Sequence, residues 1–496
     1  MSFSWEIKYE ILRRRDMRDA FTFTIDPADA KDFDDALSFE IISDPQTTSN
    51  PQTISNNFKP LQTDPQGSSP HMDSPAVYRI GVHIADVSFY VRPNTKVDDD
   101  AYRRGTSVYL VDRVLPMLPE ELCNDKCSLR PNEDKLCMSV IFTMDADAHV
   151  LKYKICRTVI RSDYRLNYDQ AQSLLGNDTA TTRQRHGNET ATDASVKVLL
   201  RQAITTINSL ARKLRAERIA AGALTIEQEE TRFRLDQHGN PVEIYFETPN
   251  EAHHLIEEFM LLANRTVAKA VGSGRPFVYR VHDLPNGEKM DAVKTFARKM
   301  GKRVSQQTID MLTIRAQAKA VYSTYNIGHY GLAFSHYTHF TSPIRRYPDL
   351  MVHRLVEKYI LTGKKETMTR EELEEKCEHC SACEQEAAQA ERDSIKLFQT
   401  MWMTNHIGEV LPGHISNVTD FGLFVQLDES RCEGLVRISH IGLPGEYWQY
   451  DEKNYRLVSD NTQKTYTIGD PVWVQVVDTD INKSQIDFEL VEKDEK

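Results

Sequence analysis

The chain has 496 residues, more than one hydrophobic core usually organises, so two or three domains are expected and a single small module is excluded. Hydrophobic residues at 40% beside charged residues at 27%, with a mean hydropathy of -0.51, describe a soluble globular chain and exclude collagenous and disordered classes. The 61 Lys and Arg against 73 Asp and Glu give a net charge of -12, the opposite of a simple nucleic-acid coat, so any polyanion must be held locally. Residues 406–496 hold 8 basic and 17 acidic residues, a net of -9, which leaves -3 for residues 1–405. No apolar run approaches the roughly 18 residues of a membrane span, and the N-terminal MSFSWEIKYEILRRRD has no apolar segment ahead of a cleavage site. With only 8 cysteines, far too few for a disulfide scaffold, a cytoplasmic protein without a membrane partner is expected.

In chain order, strand-like runs are expected at 21–25 and 36–41, then a Pro, Ser, Thr, Asn and Gln-rich stretch at about 43–75 that cannot bury a core, then a strand at 77–82. This reads as a long disordered insertion between neighbouring strands. A second polar stretch, 177–195, precedes an amphipathic helix at 196–221 with apolar residues at 199, 200, 203, 204, 207, 210, 211 and 214, stopped by Gly222. Further helices are expected at 252–271, ended by Gly272, and from Thr369 to about Met403, opened by the capping-box pair Thr369 and Glu372. From Gly408 about five short strands, EVLPGHI, FGLFVQL, EGLVRIS, PVWVQVV and QIDFELV, have the spacing of a small oligonucleotide-binding barrel. The expectation is therefore an α+β domain over 1–405, ending in a helical segment at 366–405, followed by an all-β OB-fold barrel over 406–496.

The segment TIDPADAKDFDDA places Asp26, Asp29, Asp32, Asp34 and Asp35 within ten residues, straight after a strand. Acids this close either take up protons or share a cation, and an oxygen-only donor set suits Mg²⁺ or Mn²⁺. It is not an EF-hand loop, because counting from Asp32 puts Leu37 and Ser43 where that loop needs Gly and Glu. A solvated acidic turn is the plainer alternative. A second segment, YTHFTSPIRRYPD at 337–349, joins hydroxyls, aromatics and the pair Arg345 and Arg346. Either arginine can fork onto a phosphate, although alone the segment reads as a turn with surface ion pairs. Acids and arginines together point to phosphodiester chemistry. Cys377, His379, Cys380 and Cys383 lie at helical spacing on one stripe, which favours packed helix cysteines over zinc, and His253 and His254 read as helix-surface residues.

These segments, with HIADVSFYV at 83–91, RGTSVYLVDRVLPMLPEELCNDKCSL at 104–129, EAHHLIEEFMLLAN at 251–264 and HFTSPIRRYPDL at 339–350, resemble in order and spacing the catalytic domain of the ribonuclease II/ribonuclease R family, closer to ribonuclease R. The resemblance covers roughly residues 10–405, and from Gly408 the chain resembles an S1 RNA-binding domain. It implies processive, Mg²⁺-dependent 3′-to-5′ hydrolysis of single-stranded RNA, or RNA with a 3′ overhang, to nucleoside 5′-monophosphates by a monomer. Carried over by motif, Asp26, Asp32 and Asp35 hold one or two Mg²⁺ ions, with Mn²⁺ as a substitute, and Asp34 positions the terminal nucleotide. Arg345 meets the scissile phosphate. Tyr109 packs at the 3′ end and helps set the final product length. Tyr168 and Glu257 read ribose, with Glu258 as the alternative to Glu257, and Phe233 stacks on the last base. In the barrel, alternation turns Leu423, Val425 and Leu427 inward and leaves Phe421, Phe424 and His440 as a stacking face. The net charge of -9 there argues against strong backbone tracking.

Two departures from the family stand out. Only residues 1–25 precede Asp26, where the family carries tandem cold-shock-type domains, and the chain ends in VEKDEK rather than a Lys-rich tail. Those domains are expected to be absent, with RNA held weakly as a result. The rival expectations are a catalytically weak RNA-binding or scaffold protein derived from such an enzyme, and a DNA exonuclease using the same metals.

Overall fold

Five consecutive buried residues, Thr22–Asp26, form the strand on which the rest of the first domain is organised in the computed structural model. The structure describes residues 3–42, 76–176, 191–225, 229–301, 306–363, 368–442 and 445–492. The expected insertion at 43–75 and most of the polar stretch 177–195 lie outside them. After the helix α1 (Phe3–Arg13), strands β1 (Arg15–Asp16), β2 (Thr22–Asp26), β3 (Asp35–Ile42) and β4 (Val77–Ala85) lead to a separate hairpin, β5 (Val108–Tyr109) and β6 (Val114–Leu115). Strands β7 (Asp134–Asp145), β8 (Val150–Arg161) and β9 (Tyr164–Asn167) complete a seven-stranded sheet of order β1-β8-β7-β4-β3-β2-β9. Its inner strands are antiparallel, while β1 pairs with β8 and β9 with β2 in parallel. Phe23, Leu37, Ile80, Val82, Val140 and Phe142 are fully buried, so β2, β3, β4 and β7 read as near-continuous apolar runs covered on both faces.

The short helices α2 (Val87–Tyr90) and α3 (Lys96–Arg104) follow β4, and α4 (Tyr168–Leu175), α5 (Ala191–Ala220) and α6 (Glu251–Val271) pack against the sheet and one another. The apolar stripe of α5 is the one its periodicity predicts: Leu200, Ala203, Ile204, Ile207, Leu210, Ala211 and Leu214 are buried, and Gly222, at φ 100°, ends the segment in a conformation glycine tolerates. A two-stranded sheet, β10 (Glu230–Leu235) and β11 (Pro241–Glu247), precedes α6. Strands β12 (Tyr279–Val281) and β13 (Val321–Ser323) bracket a helix pair, α7 (Gly287–Met300) and α8 (Gln306–Ala316). Helix α9 (Tyr347–Val356) and the 34-residue α10 (Arg370–Met403), opened by the expected Thr369 and Glu372 capping box, close the domain.

At about 1.5 Å per residue α10 is roughly 50 Å long, and it touches β5, β11 and β13 of the first domain and the strands Pro471–Asp480 and Gln485–Leu490 of the second. That second domain is a closed barrel of β14 (Val410–Thr419), β15 (Gly422–Leu427), β16 (Glu433–Arg437), β20 (Pro471–Asp480) and β21 (Gln485–Leu490), the five runs expected from sequence. Leu423, Val425 and Leu427 point inward, as alternation requires. A three-stranded sheet, β17 (Trp448–Asp451), β18 (Arg456–Ser459) and β19 (Thr465–Thr467), is interposed before β20. The barrel core also takes in Val293, Phe296 and Leu312 from α7 and α8, with Phe296 and Tyr455 edge to face at 5.4 Å. The helix pair thus belongs in sequence to the first domain and in packing to the second core.

Candidate active site

The acidic loop runs from the end of β2 to the start of β3, and pairing of those strands folds it back on itself. Asp26 closes β2 and Asp35 opens β3, so two carboxylates are fixed by strand register before the loop contributes any. The remainder is stitched from outside: the Phe33 N–H donates to Ser128 Oγ at 3.0 Å, and that hydroxyl donates to the Lys31 carbonyl at 2.8 Å. Arg165 donates to the carbonyls of Pro27 and Ala28 at 2.9 and 2.8 Å and lies over the Phe33 ring.

Burial raises the pKa of Asp26, and the charges of Asp34 and Asp32 add to the shift. Asp35 rises through burial and the charge of Asp26, Asp32 through burial, and Asp34 is raised well above the carboxylate range by its full burial, with the charges of Asp32 and Asp35 adding to the shift. Asp26 Oδ2 is buried with no hydrogen-bond partner among the described residues. Among the described residues no three ligating side chains form a ready-made metal cage. The donor set nevertheless fits a hard divalent cation: oxygen only, buried, mutually repelling, and with an acceptor left unpaired. Asp29, by contrast, is exposed.

The arginine turn is attached directly to this loop. The Ile344 N–H donates to Asp34 Oδ1 at 2.9 Å, and Arg345 Nε lies 3.7 Å from Asp34 Oδ2. The carbonyl of Arg345 accepts from the Ser107 N–H at 2.9 Å and the Thr106 hydroxyl at 3.0 Å, joining the GTSVY segment to the same point. Gly105, at φ 68°, makes the preceding turn, and a Cβ there would stand 2.5 Å from Cys383 Cβ. The two arginines divide sharply. Arg346 forks onto the fully buried Asp349 at 2.8 and 2.9 Å, and Asp349 also accepts from the Ser342 N–H at 2.8 Å. Arg345 is 43% exposed and, among the described residues, is steadied by Ser342 Oγ at 3.0 Å and by Asp34.

Tyr109 sits on β5, whose N–H donates to Glu391 of α10 at 3.0 Å. The residue is 40% exposed; partial burial raises its phenol pKa, Arg345 opposes the rise, and the charges of Asp32 and Asp34 add to it. Register delivers Tyr168: β9 runs parallel to β2 with Asn167 opposite Asp26, so the next residue stands beside that carboxylate. Its ring stacks on His253 with centroids 3.7 Å apart and planes at 11°. Tyr168, Glu257, Arg215, Arg218, His253 and His254 line a cavity of about 360 Å³. Glu257 is exposed there and lies 3.5 Å from Arg218, whereas Glu258 is buried and bonded to Arg218 at 3.1 Å.

Phe233 lies on the ribbon of β10 and β11. It is half-buried on β10 against Phe398 of α10, ring centroids 5.8 Å apart, and among the described residues no ring contact joins it to Tyr109 or Tyr168. Alternation on a two-stranded ribbon leaves one face free for the long helix, and Phe233 lies on that face. His253 and His254, expected on the helix surface, are half-buried cavity residues. In the barrel, Phe421 is 52% exposed and meets Phe424 edge to face at 5.9 Å, while the exposed His440 lies 3.4 Å from Glu489. Cys377 and Cys380 are buried, and His379 bonds to the Tyr102 carbonyl at 2.8 Å, in keeping with packed helix residues. Sequence reading missed Arg165 and Ser128, although Ser128 lies within the 104–129 segment; their role is visible only once the loop carbonyls they hold are in place.

The RNB domain family matches residues 14–362, and the S1 RNA binding domain family matches 405–490. The chain is 37% identical to ribonuclease R of Aquifex aeolicus over 98% of its own length and 66% of that protein. It is 36% identical to ribonuclease R of Thermotoga maritima over 99% and 66%. It thus spans about two thirds, and for other curated relatives as little as 56%, of the lengths it matches. A solved structure of Mycoplasma genitalium RNase R in complex with ribose methylated single-stranded RNA superposes with a TM-score of 0.80 at 26% identity, covering 96% of this chain and 72% of that one. Among the described residues no helix is long and apolar enough to cross a membrane.

Proposed function

Because the chain belongs to the RNB-domain family that includes ribonuclease R, we propose that it is a 3′-to-5′ exoribonuclease that releases nucleoside 5′-monophosphates from single-stranded RNA or a 3′ overhang. The observation that carries this reading is the convergence of three segments distant in sequence, through the bonds Ile344–Asp34 and Ser107–Arg345. One cluster therefore combines buried carboxylates, an accessible guanidinium and an aromatic ring. In this reading residues 1–405 form the catalytic unit and 406–496 an RNA-binding barrel in a monomeric cytoplasmic protein.

Asp26, Asp32 and Asp35 would hold one or two Mg²⁺ ions, or Mn²⁺, which when bound supply an activated water and neutralise charge on the leaving oxygen. Asp34 spends one oxygen on the Ile344 N–H and so sets the arginine turn against the acidic loop. Arg345, with most of its fork uncommitted, meets the scissile phosphate and the charge that develops on it. Arg346 holds the turn through Asp349 and stays out of the chemistry. Tyr109 packs against the terminal nucleotide, and Tyr168 with Glu257 binds ribose from the cavity side. Stacking and ribose contacts are indifferent to base identity, which suits a general degrader. Phe233 takes a role in the channel only if a base displaces its contact with Phe398.

The test is a 5′-labelled single-stranded oligoribonucleotide incubated with the protein, with and without Mg²⁺. Progressive shortening that stops when the metal is chelated is the expected result. RNA binding without any shortening would replace this reading with that of a scaffold, and equal shortening of DNA would replace it with a nuclease indifferent to the 2′-hydroxyl.

A further inference from the structure

The ring stack between Tyr168 and His253 joins the N-termini of two helices at the edge of the acidic loop. Tyr168 is the first residue of α4, whose N-cap Asn167 forms a reciprocal capping box with Gln170. His253 is the third residue of α6, whose N-cap Asn250 accepts from the Ala252 and His253 N–H groups. The two caps are tied together, since Gln172 of α4 accepts from the Ala252 N–H at 3.3 Å. His253 Nδ1 lies 2.9 Å from Asn250 Oδ1 and 3.2 Å from the Asn250 N–H, so either neutral tautomer finds a partner there and the ring stays in one place.

This arrangement constrains what Tyr168 can do. With an imidazole 3.7 Å from its centroid at 11°, one face of the phenol is closed to a nucleobase. The ring also packs against the core of the first domain, so what it offers a substrate is the edge and the hydroxyl, near Asp26 and Asp35. Glu257 lies one turn along α6 from His253 and lines the same cavity, so both ribose contacts proposed above are referenced to one helix face.

Resting on that reading, we propose that His253 is a positioning residue: it holds Tyr168 edge-on to the substrate, and so makes the site select for a ribose 2′-hydroxyl rather than for a stacked base. The contact is aromatic, so a phenylalanine should serve in its place where an alanine does not.

The experiment compares turnover of an oligoribonucleotide with that of the same oligomer carrying a single 2′-deoxy residue near its 3′ end, for the full chain and for His253→Ala and His253→Phe. The ratio of the two kcat/KM values should fall by about tenfold in His253→Ala and stay within about twofold of the parent in His253→Phe. Should the alanine variant melt early, His253→Leu fills the volume without offering a ring and is expected to behave as alanine does. A role limited to capping α6 would slow both substrates equally, leaving the ratio untouched in every variant, and that result overturns the proposal while the exoribonuclease reading stands. Equal ratios in the alanine and phenylalanine variants, both below the parent, also overturn it, because stacking would not be the cause. A parent chain that degrades both oligomers alike overturns the proposal alone, whereas one that degrades neither overturns the underlying functional reading as well.

Discussion

Replacing Arg345 and Arg346 in turn separates the chemistry of the arginine turn from its architecture. Arg346 makes a bidentate pair with Asp349, whose side chain has no exposure, and Asp349 in turn holds the Ser342 N–H. Removing the guanidinium in Arg346→Met leaves that carboxylate buried and uncompensated, a change that costs about 3–5 kcal/mol. For a chain this large that amounts to a fall in melting temperature on the order of 5 °C. Arg345 is 43% exposed, its contact to Asp34 is 3.7 Å, and its one short side-chain bond is to Ser342. Arg345→Lys keeps the charge near Asp34, so the melting temperature should move by less than about 1 °C, within the range of an ordinary surface substitution. It loses the planar fork, so turnover should drop by about tenfold or more with affinity nearly unchanged. Thermal melting and single-turnover kinetics on both variants provide the assay. An Arg345→Lys protein as destabilised as Arg346→Met, or one that loses affinity and not rate, would refute the division of labour between the two side chains.

Three further outcomes follow from burial and charge. In the barrel, Phe421→Ala and Phe424→Ala should each weaken binding of a 3′-tailed RNA by less than about fivefold, below the 1–3 kcal/mol of a full stacking platform, because the barrel carries a net -9; fluorescence titration at fixed salt measures it, and a hundredfold loss would contradict it. Point variants are needed, since removing the barrel also uncovers Phe296 and Val293. His83 is fully buried between Ser38 and Ser139, and burial pushes its pKa down to about 3. With the folded value below the unfolded one, its contribution is complete above about pH 6.5 and is lost by about 1.4 kcal/mol per pH unit on acidification; His83→Gln should flatten the fall in urea midpoint between pH 7 and 5. Asp26 and Asp35 are raised by burial, so without a cation their contribution is present below about pH 3.8 and lost as pH rises. Mg²⁺ should therefore raise the melting temperature more at pH 8 than at pH 5.5, and a gain independent of pH would contradict the carboxylate assignment.

What the sequence disclosed depended on whether the signal was local. The stripe of α5, the Thr369 capping box and the five barrel runs are written in periodicity and spacing, and each was legible. So was the gathering of Asp26, Asp32, Asp34 and Asp35, because the acids are neighbours in the chain. Periodicity shows which face of an element is apolar but not what covers it. That is why α7 and α8 could not be assigned to the barrel core, nor Phe233 to Phe398. The same limit hid the unequal fates of Arg345 and Arg346, adjacent in sequence, one buried on Asp349 and the other open. His253 read as a surface histidine because its partner, Tyr168, is brought to it only by the parallel pairing of β9 with β2.

In the proposed function the acidic loop cuts the terminal phosphodiester of RNA. This is tested most directly by a single-stranded oligoribonucleotide labelled at its last internucleotide phosphate, incubated with the parent chain and with Asp34→Asn in the presence of Mg²⁺, with products resolved by chromatography. The parent should release the label first as a nucleoside 5′-monophosphate, and Asp34→Asn should bind the RNA with similar affinity but release almost none. Label appearing first in internal fragments, or released at the parental rate by Asp34→Asn, would contradict it.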